Sequence, residues 1–304
     1  MEKPIESFGL WLEQLLAEST GKEGRGLLPV ANEPVGKPNV YGNDRLFIHI
    51  SLNNQTDELL SQAIQQLQEA GRPIVKFHLS DLLDLGQEFF RWEMAVAVAG
   101  SMLGINAFDQ PNVQESKDNT RRLLSEIIEG ENLPQEAPIL SEGMLSLYSR
   151  LDSLQQVSTM AEAFEHWLSM GYPGYYIALM AFLPEFPETE KMLQALRQNL
   201  RDKQRLATTL GYGPRFLHST GQYHKVGPNT GLFLQLTVQD KLYIPIPGYG
   251  YDFGMFKQAE ALGDIQALQR HERRVLRIDL GEDAIQGLTQ LRNVVDQVMF
   301  SRIS

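Results

Sequence analysis

A chain of 304 residues with 42% hydrophobic and 21% charged side chains can bury the core of one large domain or two ordinary ones, and is neither disordered nor membrane-like. No apolar run reaches the ~18 residues of a membrane span, the opening MEKPIESFGLWLEQ lacks a signal-peptide plan, and zero cysteines exclude disulfides and thiolate zinc sites, which together point to a reducing, cytoplasmic setting. A net charge of −11, from 38 acids against 27 bases, argues against a nucleic-acid partner but leaves room for a small anion held by a few local cations or helix N-termini.

Apolar groups at helical spacing predict a helix over 5–18, with Gly21 as its stop. GLLPV (26–30) and RLFIHISL (45–52) read as strands, followed by a polar helix over 57–70, a strand over 73–79 and an apolar helix over 87–103. In FDQPNVQESKD (108–118), Asp109 or Gln110 can cap and Pro111 can lead a helix, with Gln110 kept outside it and Lys117 about two turns on. Residues 129–140 are rich in proline and acid and read as a linker, with helical patterns over 141–170. A second alternating set follows: strands at 175–183, 207–213, 231–238 and 275–280, and helices at 187–204, 253–271 and 284–300. The expected organisation is an α/β unit over 1–130 with a parallel sheet, a linker and helical segment over 131–170, and a second, smaller α/β unit over 171–304.

The glycine-rich stretches fail the phosphate-loop spacings: ESTGKEG has no glycine five residues before Gly21, and in GYGYDFG (248–254) the third glycine comes one residue late. Both read as turns. His218 and His224 lie in RFLHSTGQYHKVGPN with no acidic partner nearby; a structural loop histidine and a substrate-facing one both remain open, while a metal site is disfavoured. Glu18 is four residues after Gln14, so both project from one helix face, and Gly21 puts Glu18 in the last turn. That position suits a general base, although a solvated helix-end glutamate has the same appearance. Lys117 is open in the same way, between a solvated helix lysine and a site residue.

Taken together, two segments resemble the phosphoglucose isomerase family. WEMAVAVAGSMLGINAFDQPNVQESK (92–117) is similar to the family's second signature: an apolar helix, then an aromatic, Asp and Gln, with a Lys seven residues after the Gln. QLLAESTGK (14–22) is similar to its base-bearing helix end. Asn112 and Gln114 depart from the usual small residue and glutamate. ESTGKEG, RWEMAVAVAG, FDQPNVQESKD and LATTLGYGPRFLHSTGQYHKVGPNTG further resemble the isomerase part of bifunctional transaldolase/glucose-6-phosphate isomerase proteins, a likeness that spans essentially the whole chain.

The resemblance implies a sugar-isomerase-type (SIS) three-layer αβα domain over 1–130, and an aldose-ketose isomerase interconverting glucose 6-phosphate and fructose 6-phosphate through an enediol. It implies Glu18 as the base, Lys117 at the ring oxygen, His224 as a ring-opening histidine one residue out of the family's Gly-Gln-His context, and Gln14 and Gln110 as substrate-binding residues. No metal or organic cofactor is implied. The implied partners are a sugar phosphate, a second copy of the chain in a homodimer, and a companion chain or N-terminal domain carrying the phosphate loop. The rival reading is a non-catalytic sugar-phosphate-binding or assembly module. Transaldolase chemistry itself is set aside, because no eightfold βα series is present to carry a Schiff-base lysine.

Overall fold

The structure is a computed structural model and describes residues 1, 3–53, 57–109, 113–128, 133–134 and 136–301. Glu6–Thr20 forms helix α1, whose apolar residues serve two different clusters. Phe8 and Leu12, with Ile5 just ahead of them, pack against Ile50, Leu52 and Leu79, whereas Ala17 at the other end is buried with Tyr176, Tyr223 and Phe233. Phe47–Leu52 (β1), Glu58–Glu69 (α2) and Ile74–Leu79 (β2) make one crossover unit, with β1 and β2 parallel from Phe47↔Ile74 to Leu52↔Leu79. Asp57 caps α2 by accepting from the Leu60 N–H at 2.9 Å. Leu85–Leu103 (α3) ends at Gly104, whose φ of 68° is the left-handed stop that glycine adopts without cost. The run 26–30 forms no strand: Pro29 cannot donate to a ladder, and Leu27 is exposed.

Val113–Ile128 forms α4. Residues 129–132 and 135 of the expected linker lie outside the described residues. Beyond them, Leu140–Glu142 (β3) and Leu145–Tyr148 (β4) form an antiparallel hairpin in place of the expected helical pattern. The reason is a period of two: Leu145 and Leu147 are buried and alternate with Ser146 and Tyr148, and Gly143 supplies the positive φ of the two-residue turn. Met160–Ser169 (α5), Tyr176–Phe182 (β5), Pro187–Gln204 (α6), Ala207–Tyr212 (β6), Thr220–Val226 (α7), Gly231–Thr237 (β7), Phe253–Arg270 (α8), Arg274–Asp279 (β8) and Ala284–Ser301 (α9) complete the chain.

The larger sheet has the order β3-β4-β8-β7-β5-β6, with β8, β7, β5 and β6 parallel and β4 antiparallel to β8. Strand β5 is buried at every position, as an inner parallel strand covered on both faces must be. Ile177 and Leu179 face Trp167, Leu196 and Leu291 of α5, α6 and α9. Ala178, Met180 and Phe182 face Phe216, Tyr223 of α7, and Ile265 and Leu268 of α8, on the side where Ala17 of α1 also packs. The result is a three-layer α/β arrangement dominated by parallel strands. Its proportions are the reverse of the expectation, since the C-terminal unit holds a six-stranded sheet and the N-terminal residues a two-stranded one. The hairpin β3–β4 joins the former, and the run 26–30 does not join the latter. Among the described residues, no helix is long and apolar enough to cross a membrane.

At the end of α1 the backbone of Gly21 lies against α7: a Cβ there would sit 2.7 Å from Tyr223 Cα and 2.7 Å from the Ala17 carbonyl oxygen. Both obstacles are backbone and cannot swing aside. Gly21→Ala is expected to lower stability by about 1–3 kcal/mol by forcing α1 away from α7, read from the urea midpoint; an unchanged midpoint contradicts the close approach.

Candidate functional site

Gln14 and Glu18 lie on the outer face of α1, opposite the face that meets the cores. The Gln14 Nε2 donates to Glu18 Oε2 at 3.2 Å, so the amide orients the carboxylate along the helix surface. Both line a cavity of about 220 Å³ whose other walls are Trp11, Leu15, Ser19, Ala107, Phe108 and Asp109. Trp11 is fixed in that wall by stacking on Phe8 at 5.3 Å and meeting Phe89 of α3 edge-on at 4.5 Å. The cavity therefore joins two segments far apart in the chain: the last two turns of α1 and the turn that follows α3.

That turn is held from below. The Lys22 ammonium is 3% exposed and donates to the Asn106 carbonyl at 2.8 Å, to the Asp109 carbonyl, and to Asp109 Oδ1 at 3.0 Å. Arg25 donates to the Leu103 carbonyl at the end of α3, and Asn106 Oδ1 accepts from the Phe108 N–H at 3.0 Å. The turn carrying Lys22 and Arg25 is itself pinned to α7, where the Gly24 N–H donates to the Val226 carbonyl at 2.9 Å. A carboxylate beside an amide, in a small open cavity walled by an aromatic ring and a second carboxylate, can move a proton on a polar, hydroxyl-bearing ligand.

No family model matches the chain. Among curated proteins, the probable glucose-6-phosphate isomerase of Methanococcus maripaludis is 33% identical over 144 residues, covering 37% of this chain and 33% of that protein. The likeness is to glucose-6-phosphate isomerases. Those of Leptospira biflexa and Enterococcus faecalis are 28% and 29% identical over 157 and 159 residues, each covering 35% of the relative. The chain thus spans about a third of the length of the curated relatives it matches. A hypothetical protein of Thermus thermophilus overlaps at a TM-score of 0.40 and 15% identity, over 96% of this chain and 75% of that one, a likeness too distant to bear on function.

Of the residues that the glucose-6-phosphate isomerase resemblance singles out, Gln14 and Glu18 share one cavity wall, and the residue preceding Gln110 lies in the opposite wall. Gln110 itself lies outside the described residues. Lys117 falls within α4, and its side chain lies outside the described residues. His224 does not line the cavity: it is 3% exposed, on α7, with its ring stacked on Tyr176 and edge-on to Phe233 at 5.3 Å. Neither ring nitrogen has a hydrogen-bond partner, and burial, with Lys225 and Arg273 adding to it, pushes the imidazole down to about 3, so the ring is neutral at physiological pH. His218 is exposed on the turn before α7 and is likewise absent from the cavity wall. Lys22, Asp109 and Trp11 are not recognisable as site residues from the sequence alone. Lys22 closes the QLLAESTGK segment (14–22), but nothing local reveals that its partners come from 106–109.

The opposite face of α1 carries a second carboxylate, Glu13, which is 7% exposed. Burial raises it from 4.5 to about 7, against the opposing pull of Arg197, Arg215 and a bond from the Ala31 backbone. Arg197 itself is held by the Thr208 and Ala31 carbonyls, and Arg201 beside it pairs with Glu33 at 3.3 Å. Because the folded-state value lies above the unfolded one, the folded chain binds the extra proton between the two. Glu13's contribution to stability is therefore complete below pH 4.5 and lost as pH rises through about 7. Glu13→Gln, a mimic of the protonated form, is expected to be more stable than the parent at pH 8 by on the order of 1–3 kcal/mol and nearly equal to it at about pH 4.5, measured by urea unfolding. Parallel pH profiles of the two chains would refute this placement of Glu13.

Proposed function

We propose that the chain carries the base-bearing part of a glucose-6-phosphate isomerase site and takes part in the interconversion of glucose 6-phosphate and fructose 6-phosphate, an intramolecular aldose-ketose isomerisation. The observation that carries this reading is the cavity that sets the Gln14–Glu18 pair against Ala107–Asp109. In the proposed reaction Glu18 takes the proton from C2 of the open aldose and returns it to C1, passing through a cis-enediol, while a hydroxyl proton moves from O2 to O1. Gln14 orients the carboxylate and binds substrate; Gln110 binds substrate, and Lys117 assists at the ring oxygen. His224, buried among aromatic rings, and His218 are given no step.

The same reading includes a homodimer, a phosphate loop supplied by a companion domain or chain, and a cytoplasmic setting, as the resemblance implies. We further assign the chain to the type found in bifunctional transaldolase/glucose-6-phosphate isomerase proteins. Support comes from the motifs at 206–231, which lie in the C-terminal unit and extend that likeness beyond the base helix and the 92–117 segment.

With fructose 6-phosphate as substrate and glucose 6-phosphate followed by a coupled assay, Glu18→Gln is expected to lower kcat by about 10²–10⁴-fold while leaving the unfolding midpoint unchanged. Turnover undiminished in the variant overturns the assignment of the base.

A further inference from the structure

Lys22 does not line the cavity, yet it determines where one wall stands. Its ammonium has three N–H donors, and the chain offers three acceptors, two carbonyls and one carboxylate oxygen, all from 106–109. The side chain is 3% exposed while Asp109 is 47% exposed, so the charge is buried at the root of the turn and the carboxylate reaches the cavity mouth. A buried ammonium with every donor satisfied is a point anchor; removing it takes the donor from two carbonyls and the counter-ion from the half-exposed Asp109 carboxylate. The root of the anchor is equally firm, since Lys22 follows Gly21, whose backbone abuts α7.

We propose that Lys22 is a positioning residue that clamps the 106–109 turn to the end of α1, setting the distance between Glu18 and the wall it faces, and that it offsets the Asp109 charge where an anionic substrate must approach. This rests on reading the cavity as the isomerase site. The clamp acts through Asp109 and the backbone of the turn. Its removal opens the cavity without touching the sheet that carries the larger core.

The test compares the parent chain with Lys22→Met, Lys22→Arg and Asp109→Asn by amide hydrogen exchange, together with kcat and KM for fructose 6-phosphate. Lys22→Met is expected to speed exchange at 103–109 by about ten- to a hundredfold, with β5 and β7 unchanged. Its kcat is expected to fall by at least about tenfold while KM moves much less, as befits misplacement of the reacting groups. Lys22→Arg, which keeps the charge, recovers part of kcat, and Asp109→Asn, a milder change at a half-exposed side chain, speeds exchange at 103–109 in the same direction. Unchanged exchange at 103–109 in both Lys22→Met and Asp109→Asn overturns the clamp, as does a loss of protection spread evenly through β5 and β7. If no turnover is seen even with the companion phosphate-loop domain supplied, but the exchange of 103–109 responds as expected, the isomerase reading fails and the clamp stands.

Discussion

The architecture depends on one helix being used by two cores at once. The first turns of α1 bury Phe8 and Leu12 against β1, β2 and α3, and its last turn buries Ala17 against the six-stranded sheet and α7. A helix shared in this way cannot tilt or slide without disturbing both clusters, since close-packed interiors do not yield to such shifts without cost. The side of α1 left over, bearing Gln14 and Glu18, is therefore held in a fixed orientation by the residues that do not face the cavity. Rigid placement of this kind is what a proton-transferring carboxylate requires, because a small displacement of a base from its target costs rate steeply.

The second constraint is electrostatic. The chain carries a net charge of −11, and the cavity itself holds two carboxylates, Glu18 and Asp109. An anionic ligand meets that surface favourably only where the charge is answered locally. The Lys22 ammonium answers Asp109 at 3.0 Å, and Glu18 is bonded to the neutral Gln14 amide, the arrangement from which it acts in the proposed reaction. Glu13, five residues earlier and on the buried face, lies against Arg197 and Arg215 rather than the cavity. Three acids within reach of one helix thus have three environments, set by which elements pack beside them.

Much of this is legible in the residues. The helix over 187–204 declares itself through Pro187 at the first turn and apolar groups at helical spacing, and the wholly apolar 176–182 suits an inner strand. The Gln14–Glu18 pair follows from a spacing of four. What is not legible depends on partners distant in sequence. Leu145 and Leu147 become strand residues because β8 pairs with β4, and His224 becomes a core residue because Tyr176, Phe216 and Phe233 arrive from separate elements around it. The Lys22 anchor joins positions 84 residues apart, so its meaning is invisible to any local pattern.

The central claim is that the cavity beside Glu18 receives a sugar phosphate, and Trp11 is its natural reporter. Trp11 lines the cavity, whereas Trp167 is fully buried in the larger core with its indole N–H bonded to the Arg274 carbonyl at 3.1 Å. Titration of the ¹⁵N-labelled chain with 6-phosphogluconate should move the Trp11 indole resonance saturably and leave that of Trp167 in place. A Trp11 resonance that stays fixed at saturating ligand while others shift, or the absence of any shift, would contradict the account.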